Sequence, residues 1–290
     1  MKIKRRYIHF RLALLVIGLC LAVSLGASLA SCGHSPPPVV EESEPHQKPA
    51  EPKLQMLPPP GVSNLPPPPS FVEQIADKHG QNADTVGWLY IPGTTIDDVV
   101  VHYPDDANEF YLRRNFDKRT SKAGSYFADF RNTFGGGREG LSRNTVIYGH
   151  SLDFNDSPDS PYFDQLKNFL NEDFARQNPY IFFSVAEEDL AWEVFAVYYA
   201  TISLPYNTPD FTDAEFADML LEMQKRSELI YDVEVGEGDK ILTLSTCTYV
   251  FTPGVYPNRY RFAISARLVG EEEPLRETAE LKRNPAPKDP

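Results

Sequence analysis

The chain has 290 residues, 26 prolines, three cysteines and a formal net charge of −13. So acidic a body excludes nucleic-acid binding, which needs a basic footprint. No P-loop, Rossmann, HExxH or EF-hand spacing occurs, so no cofactor or metal is expected, and Asp97-Asp98 and Asp105-Asp106 read as solvated turns.

Residues 1–11 carry Lys2, Lys4, Arg5, Arg6 and Arg11 and no acidic side chain, and residues 12–30 are almost wholly apolar or small. A basic segment before an apolar run of about 20 residues is a secretory signal or a membrane anchor. Its basic side belongs in the cytoplasm. Leu29-Ala30-Ser31-Cys32 resembles a bacterial lipobox, which makes Cys32 a candidate for lipidation; the alternative is an uncleaved anchor. Either reading of residues 1–31 leaves the bulk of the chain outside the membrane and tethered to it. Residues 32–69 hold the runs Pro36-Pro37-Pro38 and Pro58-Pro59-Pro60 and read as a disordered, semi-rigid spacer. Residues 271–290 are charged and Pro-containing and are expected to be a disordered tail. The span 70–270, about 200 residues, fits one domain.

Within that domain Ser70-Phe71-Val72-Glu73 has the capping-box pattern and opens a short helix to about residue 79. Strands are predicted at 88–91, 97–103, 126–127 and 145–148 from their β-branched and aromatic runs. Residues 162–177 place Phe163, Leu166, Phe169, Leu170 and Phe174 at helical spacing. Segments 180–185 and 191–203 read as a hairpin. Thr212-Asp213-Ala214-Glu215 is a second capping box, opening a helix to about residue 229. Strands at 241–246 and 260–268 close the domain. Eight short strands, few helices and no βαβ alternation predict a mostly β fold, a closed and mostly antiparallel barrel with an N-terminal helix and helical insertions.

After Cys32 the chain carries a single thiol, Cys247. An exported domain with one cysteine cannot form an internal disulfide, so the thiol is either buried and inert or kept for chemistry. Cys247 ends one predicted strand and His150 ends another, positions from which a rigid scaffold presents reactive groups. A nucleophilic thiol needs a neighbouring imidazole or cation and a donor for the oxyanion. Arg259 and Arg261 share one face of the last strand, and Tyr260, Phe262, Ile264 and Leu268 form the apolar other face. Either arginine could serve; the apolar alternation that follows directly favours Arg261. His102 lies mid-strand and is expected to be structural. His79 follows a helical stretch and is expected to be solvated.

Thr243-Leu244-Ser245-Thr246-Cys247 resembles the TLxTC signature of sortases in its class B form. The strand 144–150 resembles the one that ends in the family's histidine, and 261–268 the one that opens with its arginine. Segments 87–93 and 124–132 follow the same order. The chain is thus similar to a class B sortase of a Gram-positive bacterium over about residues 71–270. This resemblance implies an eight-stranded barrel and a cysteine transpeptidase on the extracytoplasmic face of the cell membrane. Cys247 would attack an LPxTG- or NPxTx-like C-terminal sorting motif of an exported protein, His150 would protonate the leaving amine, and Arg261 would hold the oxyanion. An amine of a peptidoglycan precursor or of a pilin lysine would then resolve the thioester. Tyr148, Ser245, Thr248 and Asn108 would contact substrate. The alternatives are a hydrolytic cysteine peptidase with the same residues and an inactive surface protein on the same barrel.

Overall fold

A computed structural model of the chain describes residues 69–105, 108–253 and 259–290. The expected signal or anchor, Cys32 and the spacer up to residue 68 lie outside the described residues. No helix among the described residues is long and apolar enough to cross a membrane.

Helix α1 (Val72–Gln81) leads into β1 (Thr85–Tyr90) and β2 (Asp97–Val101). β3 (Tyr126–Ala128) and β4 (Asn144–Tyr148) follow, then a 3-10 helix at Tyr162–Leu170 and α2 (Glu172–Gln177). β5 (Tyr180–Val185) and β6 (Ala191–Thr201) form the expected hairpin. After α3 (Asp213–Arg226) come β7 (Leu229–Tyr231), β8 (Ile241–Cys247), β9 (Tyr260–Leu268) and β10 (Leu281–Arg283). The eight predicted strands close into one barrel in the order β1-β2-β3-β4-β8-β9-β6-β5. Its pairs are antiparallel except β2–β3 and β4–β8.

Leu89, Val100, Ile147, Leu242, Leu244, Phe262 and Ile264 fill the interior, and Phe163, Leu166 and Phe169 of the 3-10 helix join the same core. On the outside, α3 lays Phe216, Met219, Leu220 and Met223 over Phe195, Tyr198 and Ala263. A β-bulge between Val194 and Ala196 lets the neighbours Phe195 and Ala196 both belong to this outer cluster. β9 is not apolar on one face only, as the sequence predicts. Phe262, Ala263, Ile264, Ser265 and Ala266 are all buried, because α3 covers the second face.

Three local expectations change. The Ser70 capping box does not form; α1 starts after Phe71, whose backbone N–H donates to Asp189 at 2.8 Å while its ring stacks on Trp88. The predicted helix over 162–177 breaks at Asn171, whose side chain accepts from the N–H groups of Asp173 and Phe174 and caps α2. The Thr212–Glu215 capping box forms as predicted. The third change is the C-terminal segment, which is not a free tail. β10 pairs antiparallel with β7, Ala279 is buried, and the Asn284 amide donates to the Ser227 carbonyl at 2.7 Å. Lys288 pairs with Glu222 of α3 and Arg283 with Glu172 of α2. A charged, Pro-containing composition hides this strand, because partners far along the chain hold it rather than an apolar run of its own.

Candidate active site

Three strand ends meet at one place. β8 and β9 pair with Cys247 opposite Arg261. β4 and β8 run parallel with Tyr148 opposite Ser245, and the Gly149 N–H donates to the Ser245 carbonyl at 3.3 Å, carrying the ladder on towards His150. Leu244, Ile147 and Phe262 point into the barrel. Side chains alternate along a strand, so Ser245, Cys247, Tyr148 and Arg261 point outward. There they line a cleft of about 500 Å³ together with His150 and Asn108.

His150 is fixed from several directions. Its Nε2 lies 2.7 Å from the Leu112 carbonyl oxygen. A carbonyl oxygen only accepts, so Nε2 carries a proton and Nδ1 is the nitrogen left for proton exchange. Gly124 sits beside this contact at φ +62°, and a Cβ there would stand 2.8 Å from the carbonyl oxygens of Tyr111 and Leu112 and 3.2 Å from the imidazole. Gly149 leaves room below, where a Cβ would come within 2.6 Å of the Phe163 ring. The Thr246 hydroxyl donates to the Gly149 carbonyl at 2.7 Å, tying the residue before Cys247 to the residue before His150.

Cys247 is a free, half-buried thiol. Directly opposed residues on an antiparallel pair have Cβ atoms about 5 Å apart, so the Arg261 guanidinium is within reach of the sulfur. Its Nη1 also donates to the Tyr260 carbonyl at 2.9 Å. Arg259 precedes β9, is exposed, and offers its carbonyl to the Ile202 N–H at 3.0 Å. The strand register therefore brings Arg261, and not Arg259, to the thiol.

The expected substrate-contact residues separate. Tyr148 lines the cleft, donates to Asp129 at 2.8 Å and accepts from the Asn207 amide at 2.8 Å. Asn108 also lines it, but its amide is engaged, donating to Asp129 at 3.0 Å and accepting the Phe130 N–H at 2.8 Å. Asp129 is fully buried. Burial alone raises its carboxyl, but the Arg131 guanidinium and backbone N–H, then Tyr148 and Asn108, outweigh burial and hold it below the usual carboxylate value. Burial, and next the Asp129 charge, push the Tyr148 phenol up, so it stays a protonated donor. Ser245 forms the floor, its hydroxyl 2.8 Å from that of buried Tyr206. Thr248 does not face the cleft. It is fully buried: the Thr248 N–H donates to the Tyr260 carbonyl at 3.4 Å, continuing the β8–β9 register past Cys247, so alternation turns Thr248 to the opposite face, where its hydroxyl donates to Asp156 at 3.1 Å.

His102 accords with a structural place: its Nε2 lies 3.3 Å from the Phe130 carbonyl and burial lowers its pKa. His79 is exposed, with Nδ1 3.1 Å from the Thr85 carbonyl. Sequence reasoning missed Thr246, Asp129, Tyr206 and the Leu112 carbonyl. Thr246 lies inside the TLxTC run and Asp129 inside the 124–132 segment, so both carried a signal. Tyr206 and the Leu112 carbonyl carried none, since only the fold brings them here.

No protein-family model matches the chain. It is similar to sortase B of Listeria monocytogenes, with 34% identity over 176 residues, covering 60% of this chain and 67% of that one. A Staphylococcus aureus sortase B–substrate complex superposes with a TM-score of 0.59 at 28% identity, covering 69% of this chain and 86% of the other. A sortase B complexed with triglycine matches with a TM-score of 0.59 at 28% identity, over 70% of this chain and 88% of the other.

Proposed function

The chain belongs to the class B sortases, and on that footing we propose that Cys247, His150 and Arg261 carry out a thiol-dependent transpeptidation in its cleft. Cys247 passes its thiol proton to Nδ1 of His150, and the sulfur attacks a peptide carbonyl of a C-terminal sorting signal, forming a C–S bond as the carbonyl π pair moves onto oxygen. As the tetrahedral intermediate collapses, the C–N bond breaks and His150 delivers its Nδ1 proton to the departing amine. An acceptor amine then attacks the thioester carbonyl and gives up a proton to His150, and the thiolate leaves. The Arg261 guanidinium cannot lose its charge. It stabilises the thiolate before attack and the oxyanion during it.

The observation that carries this reading is the β8–β9 register, which sets Cys247 opposite Arg261 on the outer face, with β4 delivering His150 alongside. The substrate and triglycine complexes of other sortase B proteins support a peptide donor and an amine acceptor. In this reading the donor carries an LPxTG- or NPxTx-like motif, and the acceptor is a peptidoglycan precursor or a pilin lysine. Tyr148 and Ser245 line the donor's path. The basic and apolar pattern of residues 1–30 supports a location on the extracytoplasmic face, tethered at the N-terminus by an anchor or through Cys32.

The test is the product made by the full chain from such peptides in the presence of triglycine. Amide-linked product that grows with amine concentration supports transpeptidation. Hydrolysed product alone, whatever the amine concentration, supports the hydrolytic peptidase.

A further inference from the structure

We propose that Lys167, buried beneath the cleft, is a positioning residue that couples the loop after His150 to the loop after Cys247. Lys167 lies on the 3-10 helix Tyr162–Leu170, and its side chain is 3% exposed. Its ammonium group pairs with two carboxylates, Asp164 at 2.8 Å and Asp156, whose side chains are 0% and 7% exposed. Each carboxylate holds a different loop. Asp164 accepts from the Ser151 hydroxyl at 2.5 Å and from the N–H groups of Leu152 and Asp153 at 2.7 and 3.1 Å, the three residues that follow His150. Asp156 accepts from the Thr248 hydroxyl at 3.1 Å and the Tyr249 N–H at 2.5 Å, the two residues that follow Cys247. Asp156 itself belongs to the loop after His150, so its bonds already cross to the loop after Cys247, and Lys167 locks that crossing to Asp164, which fixes where the His150 loop begins.

A buried ion cluster is a poor source of stability, because desolvation offsets most of the Coulomb attraction and an apolar set of equal volume packs as well. What it supplies is direction. Charge-assisted hydrogen bonds to backbone N–H groups are short and specific, and here they fix where two loops begin. The thiol and the imidazole must be held close to reacting geometry, and a displacement of about 1 Å lowers the rate by up to roughly a hundredfold. Lys167 touches neither reacting group, so its effect reaches the chemistry through the placement of both.

This inference rests on the reading of Cys247 and His150 as the reacting pair, so its test has two readouts. In the full chain, Lys167→Met and Asp156→Asn are compared with wild type. The first readout is acylation by a sorting-signal peptide; the second is amide hydrogen exchange at Tyr249 and Leu152. Lys167→Met is expected to lower kcat roughly ten- to a hundredfold with KM nearly unchanged. It should also speed exchange at both amides. Asp156→Asn is expected to speed exchange at Tyr249 alone and to lower kcat. A folded Lys167→Met protein with wild-type protection at both amides overturns the proposal, as does a rise in KM at constant kcat. If Lys167→Met does not fold, Asp156→Asn decides, and wild-type kcat with wild-type Tyr249 exchange overturns it. If wild type forms no acyl adduct, the transpeptidase reading fails by itself, and the exchange data still decide the coupling.

Discussion

Cys247 and Arg261 are partners across the β8–β9 ladder. A slip of one residue in that register would turn one of the two side chains to the opposite face of the sheet. The pairing is held along the whole strand, from Ile241 opposite Arg267 to Cys247 opposite Arg261, and Leu244, Phe262 and Ile264 anchor it inside the barrel. The core therefore sets which side chains meet at its rim.

The two candidate arginines should differ sharply. Arg261→Ala is expected to slow acylation by about 10²–10³-fold, the ordinary loss for removing an oxyanion donor. Arg259→Ala, outside β9 and exposed, should stay within about threefold of wild type, as surface substitutions do. Rapid-quench acylation rates for the two variants decide this. Equal losses would remove Arg261 from its assigned role.

Thr246 ties the end of β8 to the residue before His150 through the Gly149 carbonyl. Thr246→Val keeps the shape and leaves that acceptor without its donor, at a cost of about 1–3 kcal/mol. Chemical denaturation should show that loss, with kcat falling and KM little changed. Wild-type stability would mean that the bond contributes nothing.

The Asp129 carboxyl is held below its ordinary value by Arg131, Tyr148 and Asn108 against the effect of burial. A depressed carboxylate stabilises the fold fully above its unfolded value, about pH 4. That contribution is lost as the pH falls through the folded-state value. Wild type should lose Tm as pH drops below about 4. Asp129→Asn should be less stable at neutral pH and lose less on acidification. Parallel Tm–pH curves for the two proteins would contradict the assignment.

Much of the barrel was legible because each of its strands is a short β-branched or aromatic run bounded by turn residues, and the Thr212–Glu215 box marked the start of α3. What escaped was decided by distant partners. Whether β9 is buried on one face or two depends on α3, and Asn171 outcompetes the helix predicted across it. Cys247, His150 and Arg261 stood out because each sits in a recognisable strand-end motif. Thr248 was misplaced because adjacency in sequence is not a shared face: strand alternation turns it away from the Cys247 side, where it is buried against Asp156.

The C-terminal segment shows the same effect at larger scale. Ending the chain at Gly270 removes β10 from β7, uncovers the Leu229 and Tyr231 strand, and strips Glu222 of Lys288. We expect a loss of about 2–3 kcal/mol, or roughly 5–10 °C in Tm for a domain of this size. Differential scanning fluorimetry of the truncated and full chains tests it, and an unchanged Tm would make the segment dispensable.

Cys247 is the proposed nucleophile. Intact mass spectrometry of the full chain after brief exposure to LPxTG- and NPxTx-type peptides checks that role, with Cys247→Ala beside it. The predicted result is an acyl adduct on wild type, mapped to Cys247 and released faster by an amine than by water, and no adduct on Cys247→Ala. An adduct that persists in Cys247→Ala, or product formed at wild-type rate by that variant, would contradict it.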